Sequence, residues 1–214
     1  NPNYDEAHII RTIHHALDAG INFIDTANFY SYGRSEETVG KALKGRRDDV
    51  VLATKVRQRV RDNPKPNDEG LSRYHIMREV ERSLSRLQTD HIDIYWLHIV
   101  DDNTPIEETL RALDDLVRQG KVRYIGNSNF PAWRIAEAEM TARQMNVNRF
   151  VSCQDEYSLL ARDIERDLLP AAAEYRLGLL PFFPLAGGML TGKYQRGAAV
   201  PADTRFGKAP ALKE

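Results

Sequence analysis

Asp25, Tyr30, Lys55 and His98 are of types that could act together on a carbonyl group. The aspartate ends the short apolar run Ile21-Asn22-Phe23-Ile24, and the tyrosine follows in a loop. The lysine ends Val50-Val51-Leu52-Ala53-Thr54, and the histidine ends Ile92-Asp93-Ile94-Tyr95-Trp96-Leu97. A free phenol, with a pKa of about 10, is a poor acid at neutral pH. A lysine ammonium beside it favours the phenolate and lowers that value, and an aspartate can hold the lysine in place. A histidine facing the same space can orient a carbonyl oxygen by hydrogen bonding. The set suits proton delivery to a carbonyl that is receiving a hydride. Two more apolar runs end in polar residues: Val122-Arg123-Tyr124-Ile125-Gly126 leads into Asn127-Ser128-Asn129, and Phe150-Val151-Ser152-Cys153 leads into Gln154. Alone, each residue has an ordinary reading: a loop carboxylate for Asp25, a packed surface aromatic for Tyr30, a snorkelling lysine for Lys55 and a core histidine for His98. Their recurrence at the ends of successive apolar runs carries the functional reading.

The elements that must position them follow from periodicity and turn chemistry. Ile9, Ile10, Ile13, Ala16 and Leu17 form one helical stripe that Gly20 stops, and a strand ending at Asp25 follows. Ser35-Glu36-Glu37 predicts a short helix with a hydroxyl cap and acidic first turn, carrying Val39 and Leu43 inward. A second strand is expected from about Val50 to Lys55, and residues 57–70, with Pro64, Pro66 and Gly70, read as a polar loop. Ser72 is expected to cap a helix with the face Ile76, Val80, Leu84 and Leu87, before a third strand from about Ile92 to His98. Thr104-Pro105-Ile106-Glu107 predicts an N-cap hydroxyl, proline at the first helical position and a capping-box glutamate. Ile106, Leu110, Leu113 and Val117 are its inward stripe, ended by Gly120. Strands are then expected near Lys121 to Asn127, Phe150 to Gln154 and Leu177 to Phe183, with helices from Pro131 through Met145 and near Leu169 to Tyr175. A glycine-rich loop with Gly187, Gly188 and Gly192 follows, and the tail from Gly197 reads as irregular.

Strands alternating with helices at roughly 28–30 residues, with one longer step at the loop of residues 57–70, argue for βαβ units and a parallel sheet. A doubly wound sheet would concentrate its contacts at one switch point and carry a glycine fingerprint after its first strand. Here candidate residues end nearly every strand, as in a barrel whose site collects several strand ends. Alternation places Val51, Ala53 and Lys55 on one strand face and Ile94, Trp96 and His98 on another. The expected fold is α/β, a (β/α)8 TIM barrel forming a single domain over residues 1–214. Six strands are legible, so the first and last of eight are expected to lie outside this chain.

Composition narrows the function classes. With 30 basic and 31 acidic residues among 214, nothing pulls the chain toward nucleic acid or membrane. The apolar runs are strand-sized, and Asn1-Pro2-Asn3-Tyr4 shows no signal peptide, reading instead as a trimmed start. The single cysteine, Cys153, fits a small buried hydrophobe in a reducing compartment, so a cytoplasmic location is expected. His8, His14, His15, His75 and His91 share no ligand spacing with acids, and no metal is expected.

At these residues the sequence resembles the aldo-keto reductases, on the branch that includes potassium-channel β-subunits. The matching stretches are Gly20-Ile21-Asn22-Phe23-Ile24-Asp25-Thr26-Ala27, Ser35-Glu36-Glu37, Ala53-Thr54-Lys55, Trp96-Leu97-His98, Gly120-Lys121-Val122-Arg123-Tyr124-Ile125-Gly126 with Ser128-Asn129, and Leu190-Thr191-Gly192-Lys193. The resemblance implies a (β/α)8 barrel that reduces an aldehyde or ketone with a nicotinamide cofactor, usually NADPH, with NADH left open. It implies Tyr30 as general acid, Lys55 as its pKa-lowering partner, Asp25 as the anchor of Lys55, and His98 as the group orienting substrate. Ser128, Asn129 and Gln154 would hold the nicotinamide carboxamide, Phe182 would stack on its ring, and Pro184, Leu185, Gly187 and Leu190 would approach the pyrophosphate. Two departures stand out: Phe182-Phe183 replaces the usual tyrosine-serine, and Asp155 stands where asparagine is common after the glutamine. The resemblance implies that the C-terminal part that normally binds the adenosine 2′-phosphate is expected to lie beyond this chain.

A second reading from the same resemblance is a nucleotide-binding regulatory module like the potassium-channel β-subunits. A third is an aldolase-type barrel using Lys55 for a Schiff base. No nucleic-acid or membrane contact is expected, and oligomeric assembly is left open.

Overall fold

The computed structural model describes residues 5–60, 65–195, 197, 199–202 and 204–208. Residues 1–4, Pro64 of the polar loop, and 209–214 lie outside the described residues. Six strands alternate with helices: α1 (Glu6–Asp18), β1 (Phe23–Asp25), α2 (Arg34–Ala42), β2 (Val51–Val56), α3 (Arg73–Leu87), β3 (Ile92–Leu97), α4 (Ile106–Arg118), β4 (Val122–Ser128), α5 (Ala132–Met145), β5 (Ser152–Glu156), α6 (Leu168–Tyr175) and β6 (Gly178–Phe182). A short helix α7 (Arg205–Lys208) lies in the tail expected to be irregular.

All six strands are parallel and stand in chain order, β1 to β6. A doubly wound sheet reverses its strand order part-way and splits its helices between two faces. Here the order never reverses, and α1 to α6 pack consecutively, each against the next. That is six strands' worth of barrel wall, with β1 and β6 at its edges among the described residues.

The core lies between strands and helices. Leu52 and Val56 of β2, Tyr95 and Leu97 of β3, Ile125 of β4 and Cys153 of β5 pack against Ile76, Val80, Leu84 and Leu87 of α3 and Leu110, Leu113 and Leu116 of α4. The alternate strand residues Ala53, Lys55, Trp96, Gly126, Ser128 and Gln154 therefore face the barrel interior. A Cβ on Gly126 would stand 2.6 Å from the Trp96 ring and 2.9 Å from the Ser152 carbonyl, so the indole occupies the space a side chain would take.

Two expected caps are made differently. Ser35 does not cap α2: the helix starts at Arg34 after Gly33, whose φ of +88° favours glycine, and the Ser35 hydroxyl lies 2.8 Å from the Thr26 hydroxyl. Thr104 does not cap α4 either. Pro105 takes the cap position, and the Thr104 hydroxyl donates to the Asp101 carboxylate at 2.8 Å. In both cases the hydroxyl is engaged by a neighbouring side chain rather than by a helix N–H. Ser72 does accept from the His75 N–H at 3.3 Å.

A polar network behind β2 joins α2 and α3 to the sheet. Thr54 donates to Glu36 at 2.6 Å, and Arg86 donates to Glu36 and to Glu79, each at 2.6 Å. Both carboxylates are essentially inaccessible to solvent. Burial pushes Glu36 above its ordinary carboxylate value, against the guanidinium's pull. Thr54 is the outward neighbour of Lys55, so this network braces the strand that presents the lysine.

Candidate active site

β1 and β2 pair with Asp25 opposite Ala53, which sets Asp25 beside the end of β2 where Lys55 projects inward. Lys55 Nζ forms an ion pair with Asp25 and donates a second hydrogen bond to the Thr26 carbonyl at 3.0 Å. Lys55 is 1% exposed, and Nζ lies 5.2 Å from the centroid of the Tyr30 ring. Tyr30 opens a one-turn 3-10 segment, Tyr30–Gly33, where a plain loop was expected. Ser31 and Tyr32 within it adopt φ of +48° and +58°, a tight turn that carries the Tyr30 ring back over the strand ends.

β2 and β3 pair with Lys55 opposite Trp96 and Val56 opposite Leu97. His98 stands one residue past β3, its N–H donating to the Val56 carbonyl at 2.9 Å. Its ring centroid is 5.8 Å from that of Tyr30, nearly perpendicular. Phe29, absent from the sequence-based site, closes the group, with its ring 5.1 Å from those of both Tyr30 and His98. The signal available for it was only its place beside Tyr30 and its aromatic type.

The electrostatics correct one expectation. The Tyr30 phenol is held above its ordinary value, first by burial and then by the negative charge of Asp25. These outweigh the Lys55 ammonium, which faces the ring while paired with Asp25. Burial pushes the Lys55 amine down from the usual lysine range, with the Asp25 charge and hydrogen bond opposing. His98 is pushed down to about 4 by burial and then by the Lys55 charge, so its imidazole is neutral at pH 7. Its Nδ1 is buried without a partner among the described residues.

β4 and β5 pair with Ser128 opposite Gln154. Ser128 is 1% exposed and Gln154 7%, so the two polar side chains sit side by side at the interior strand ends. Asn129 follows in a left-handed conformation, φ +57°, and its amide donates to the His98 carbonyl at 3.0 Å and to the Ser128 hydroxyl at 2.9 Å. At the end of β6, Phe182 packs its ring 5.4 Å from that of Phe183. Pro184 and Leu185 are exposed, and Leu185 to Leu190 wrap a turn with Gly187 and Gly188 at φ of +63° and +101°. A Cβ on Gly188 would stand 3.0 Å from Lys193 Nζ, so bare backbone and a cation share this turn. The structure thus gathers Asp25, Tyr30, Lys55 and His98 into one cluster, sets Ser128, Asn129 and Gln154 at the neighbouring strand ends, and puts Phe182, Pro184, Leu185, Gly187 and Leu190 on the next strand and its loop.

The chain belongs to the aldo/keto reductase family, whose model matches residues 1–209. It is similar to the uncharacterised oxidoreductase YrpG of Bacillus subtilis, 47% identical over 88% of this chain and 61% of that protein. It is 41% identical to a probable voltage-gated potassium channel subunit beta of Arabidopsis thaliana, over 88% of this chain and 58% of that protein. Versiconal hemiacetal acetate reductase of Aspergillus parasiticus is 37% identical over 95% of this chain and 64% of the enzyme. The chain therefore spans roughly three fifths of the length of these curated relatives. The family is a (β/α)8 barrel, and the six parallel strands are a partial one. No helix among the described residues is long and apolar enough to cross a membrane.

Proposed function

We propose that the chain carries the active site of an NADPH-dependent carbonyl reductase, with Tyr30 as general acid. The observation that carries this reading is the Lys55 ammonium, clamped by Asp25 and the Thr26 carbonyl against the Tyr30 ring beside a neutral His98. NADPH, when bound, supplies the hydride. Ser128, Asn129 and Gln154 offer the donors and acceptors an amide-bearing ring needs, Phe182 would stack on that ring, and Pro184, Leu185, Gly187 and Leu190 line the loop for its phosphates. The bare glycine backbone and Lys193 of that loop fit an anionic group.

An aldehyde or ketone oxygen would lie between Tyr30 and His98. His98, neutral, donates a hydrogen bond that orients it. The raised value of Tyr30 keeps its proton in place in the resting site, as an acid requires. Tyr30 gives that proton to the oxygen as negative charge develops, and Lys55 stabilises the phenolate left behind. Asp25 keeps Lys55 from turning away. Phe29 walls one side of the reacting space and limits water.

The test is the loss of near-ultraviolet absorbance of NADPH with an aromatic aldehyde, for wild type and Tyr30→Phe. Turnover by wild type that falls about 10²–10⁴-fold in the variant supports the assignment. Equal turnover by both removes Tyr30 from the role, and no turnover by either overturns the reductase reading. The same assay with NADH decides the cofactor preference.

The likeness to the channel subunit supports a second reading, a nucleotide-binding regulatory module. It predicts NADPH binding without turnover and co-purification with a channel protein. The aldolase reading is disfavoured, because a Schiff base needs a free amine and Lys55 is buried in an ion pair.

A further inference from the structure

Arg86 of α3 is a largely buried charge that the reaction above does not use. Its side chain is 16% exposed, and its guanidinium reaches two carboxylates closed to solvent, Glu36 of α2 and Glu79 of α3, each at 2.6 Å. Glu79 has a second cation, Arg82, at 3.3 Å, whereas the ion partner of Glu36 among the described residues is Arg86. A guanidinium presents its donors in a rigid fork, so an arginine bound at two carboxylates is fixed in place. Its backbone is fixed too. The two helices cross so closely that a Cβ on Gly40 of α2 would stand 2.7 Å from the Arg86 carbonyl oxygen.

Two paths run from this point to the candidate active site. The first is made of hydrogen bonds. Glu36 accepts from the Thr54 hydroxyl at 2.6 Å, and Thr54 precedes Lys55 on β2. Ser35, beside Glu36, lies 2.8 Å hydroxyl to hydroxyl from Thr26, whose carbonyl accepts from Lys55 Nζ at 3.0 Å. The chain of contacts thus returns to the lysine from both sides. The second path is steric. Gly33 ends the turn that Tyr30 opens, with φ +88°, and a Cβ there would stand 2.9 Å from Arg86 Cδ and 3.3 Å from Nε. The Arg86 stem is the floor of that turn, and the next N–H, of Arg34, returns to the Tyr30 carbonyl.

We propose that Arg86 is a positioning residue for the Tyr30–Lys55 pair: its guanidinium holds Glu36, and through Thr54 the strand end that carries Lys55, while its stem supports at Gly33 the turn that carries Tyr30. The two paths start from one side chain and meet where Lys55 Nζ stands 5.2 Å from the Tyr30 ring centroid. Arg86 therefore sets the spacing of acid and ammonium. A misplacement of about 1 Å can cost about 10²-fold in rate. For proton transfer, this rests on the reductase reading above. For the spacing itself, it does not.

The test uses the full chain with Arg86→Lys, Thr54→Val and Thr54→Ser. Lysine keeps the charge but has no fork to span both carboxylates. Valine keeps the side-chain shape and removes the hydroxyl, which serine retains. Two readouts are followed: kcat for reduction of an aromatic aldehyde, with NADPH affinity measured separately by fluorescence, and the NMR signal of the Lys55 ε-methylene, which the face of the Tyr30 ring displaces upfield. Arg86→Lys and Thr54→Val should each lower kcat about tenfold, leave NADPH affinity within about twofold and diminish the upfield displacement. Thr54→Ser should stay within about twofold of wild type in kcat and keep the displacement. A merely structural brace would lower Tm and leave both kcat and the displacement of the folded protein unchanged, and that result overturns the proposal. A loss of NADPH affinity as large as the loss of kcat overturns it too, because the pocket as a whole would then have changed. If wild type reduces no aldehyde, the reductase reading falls and the displacement alone decides. If Arg86→Lys does not fold, the Thr54 variants decide, since Thr54→Val cuts the path from Arg86 to Lys55.

Discussion

Lys55 and Asp25 form an ion pair whose halves are buried unequally: the lysine side chain is 1% exposed and the aspartate side chain 27%. The cation depends on the anion far more than the reverse. Among the described residues, Lys55 has Asp25, the Thr26 carbonyl and the face of the Tyr30 ring to offset its loss of water, whereas Asp25 keeps part of its hydration.

Asp25→Ala should therefore destabilise the fold by about 3–5 kcal/mol, because it leaves a buried ammonium unpaired. Adding Lys55→Met should restore most of that loss while leaving the protein without turnover. Urea unfolding of the two single variants and the double variant measures the coupling. A double variant as unstable as Asp25→Ala alone would show that the pair is not what holds this corner.

The His98 ring should titrate near pH 4, well below the usual histidine range of about 6.5. Its folded value is depressed, so the folded state binds fewer protons than the unfolded one between about pH 4 and 6.5. Stability is lost as pH falls through that window. NMR of the imidazole checks the midpoint. Lys55→Met should raise it, since the Lys55 charge is the second cause of the depression after burial.

Asp155 has the opposite sign. Its folded value, about 6, lies above the ordinary 3.8, so the fold favours the protonated form. The associated stability is complete below about pH 4 and lost as pH rises toward 6. Asp155→Asn should exceed wild type by about 2–3 kcal/mol above pH 6, with the gap closing as pH falls to about 4. Denaturant unfolding at several pH values reads this, and a constant gap would refute it.

Gly126→Ala should cost about 1–3 kcal/mol, because the new methyl would meet the Trp96 ring and the Ser152 carbonyl at once. Thermal unfolding checks the loss. Trp96→Leu in the same chain should recover part of it, by opening the space the indole fills.

Most of the fold's order was legible in the chain. Apolar runs beginning near 21, 50, 92, 122, 150 and 177 became β1 to β6 within about two residues at their starts; the stripe of α3 became a buried face, and that of α4 is buried at Leu110 and Leu113 and half-buried at Ile106 and Val117. These are local patterns, set by the two periods of strand and helix. Legible too were Asp25, Lys55 and His98 at the ends of apolar runs, with Tyr30 in the loop after the first, because strict alternation fixes which strand side chains share a face.

Which partner claims each polar side chain was not legible. Ser35 and Thr104 have the types and spacing of helix caps, yet the Thr26 hydroxyl and the Asp101 carboxylate claim them once the chain folds. The direction of the Tyr30 shift was inverted for the same reason: a residue list tells that a lysine is near, but burial and the Asp25 charge are properties of the assembled site. Phe29 against His98 and Arg86 against Glu36 join elements far apart in the chain. The sequence by itself determined which residues could do chemistry and in what order the strands present them. Only tertiary packing decided how dry each one is and which partner claims it, because desolvation and hydrogen-bond competition depend on everything that folds around a group.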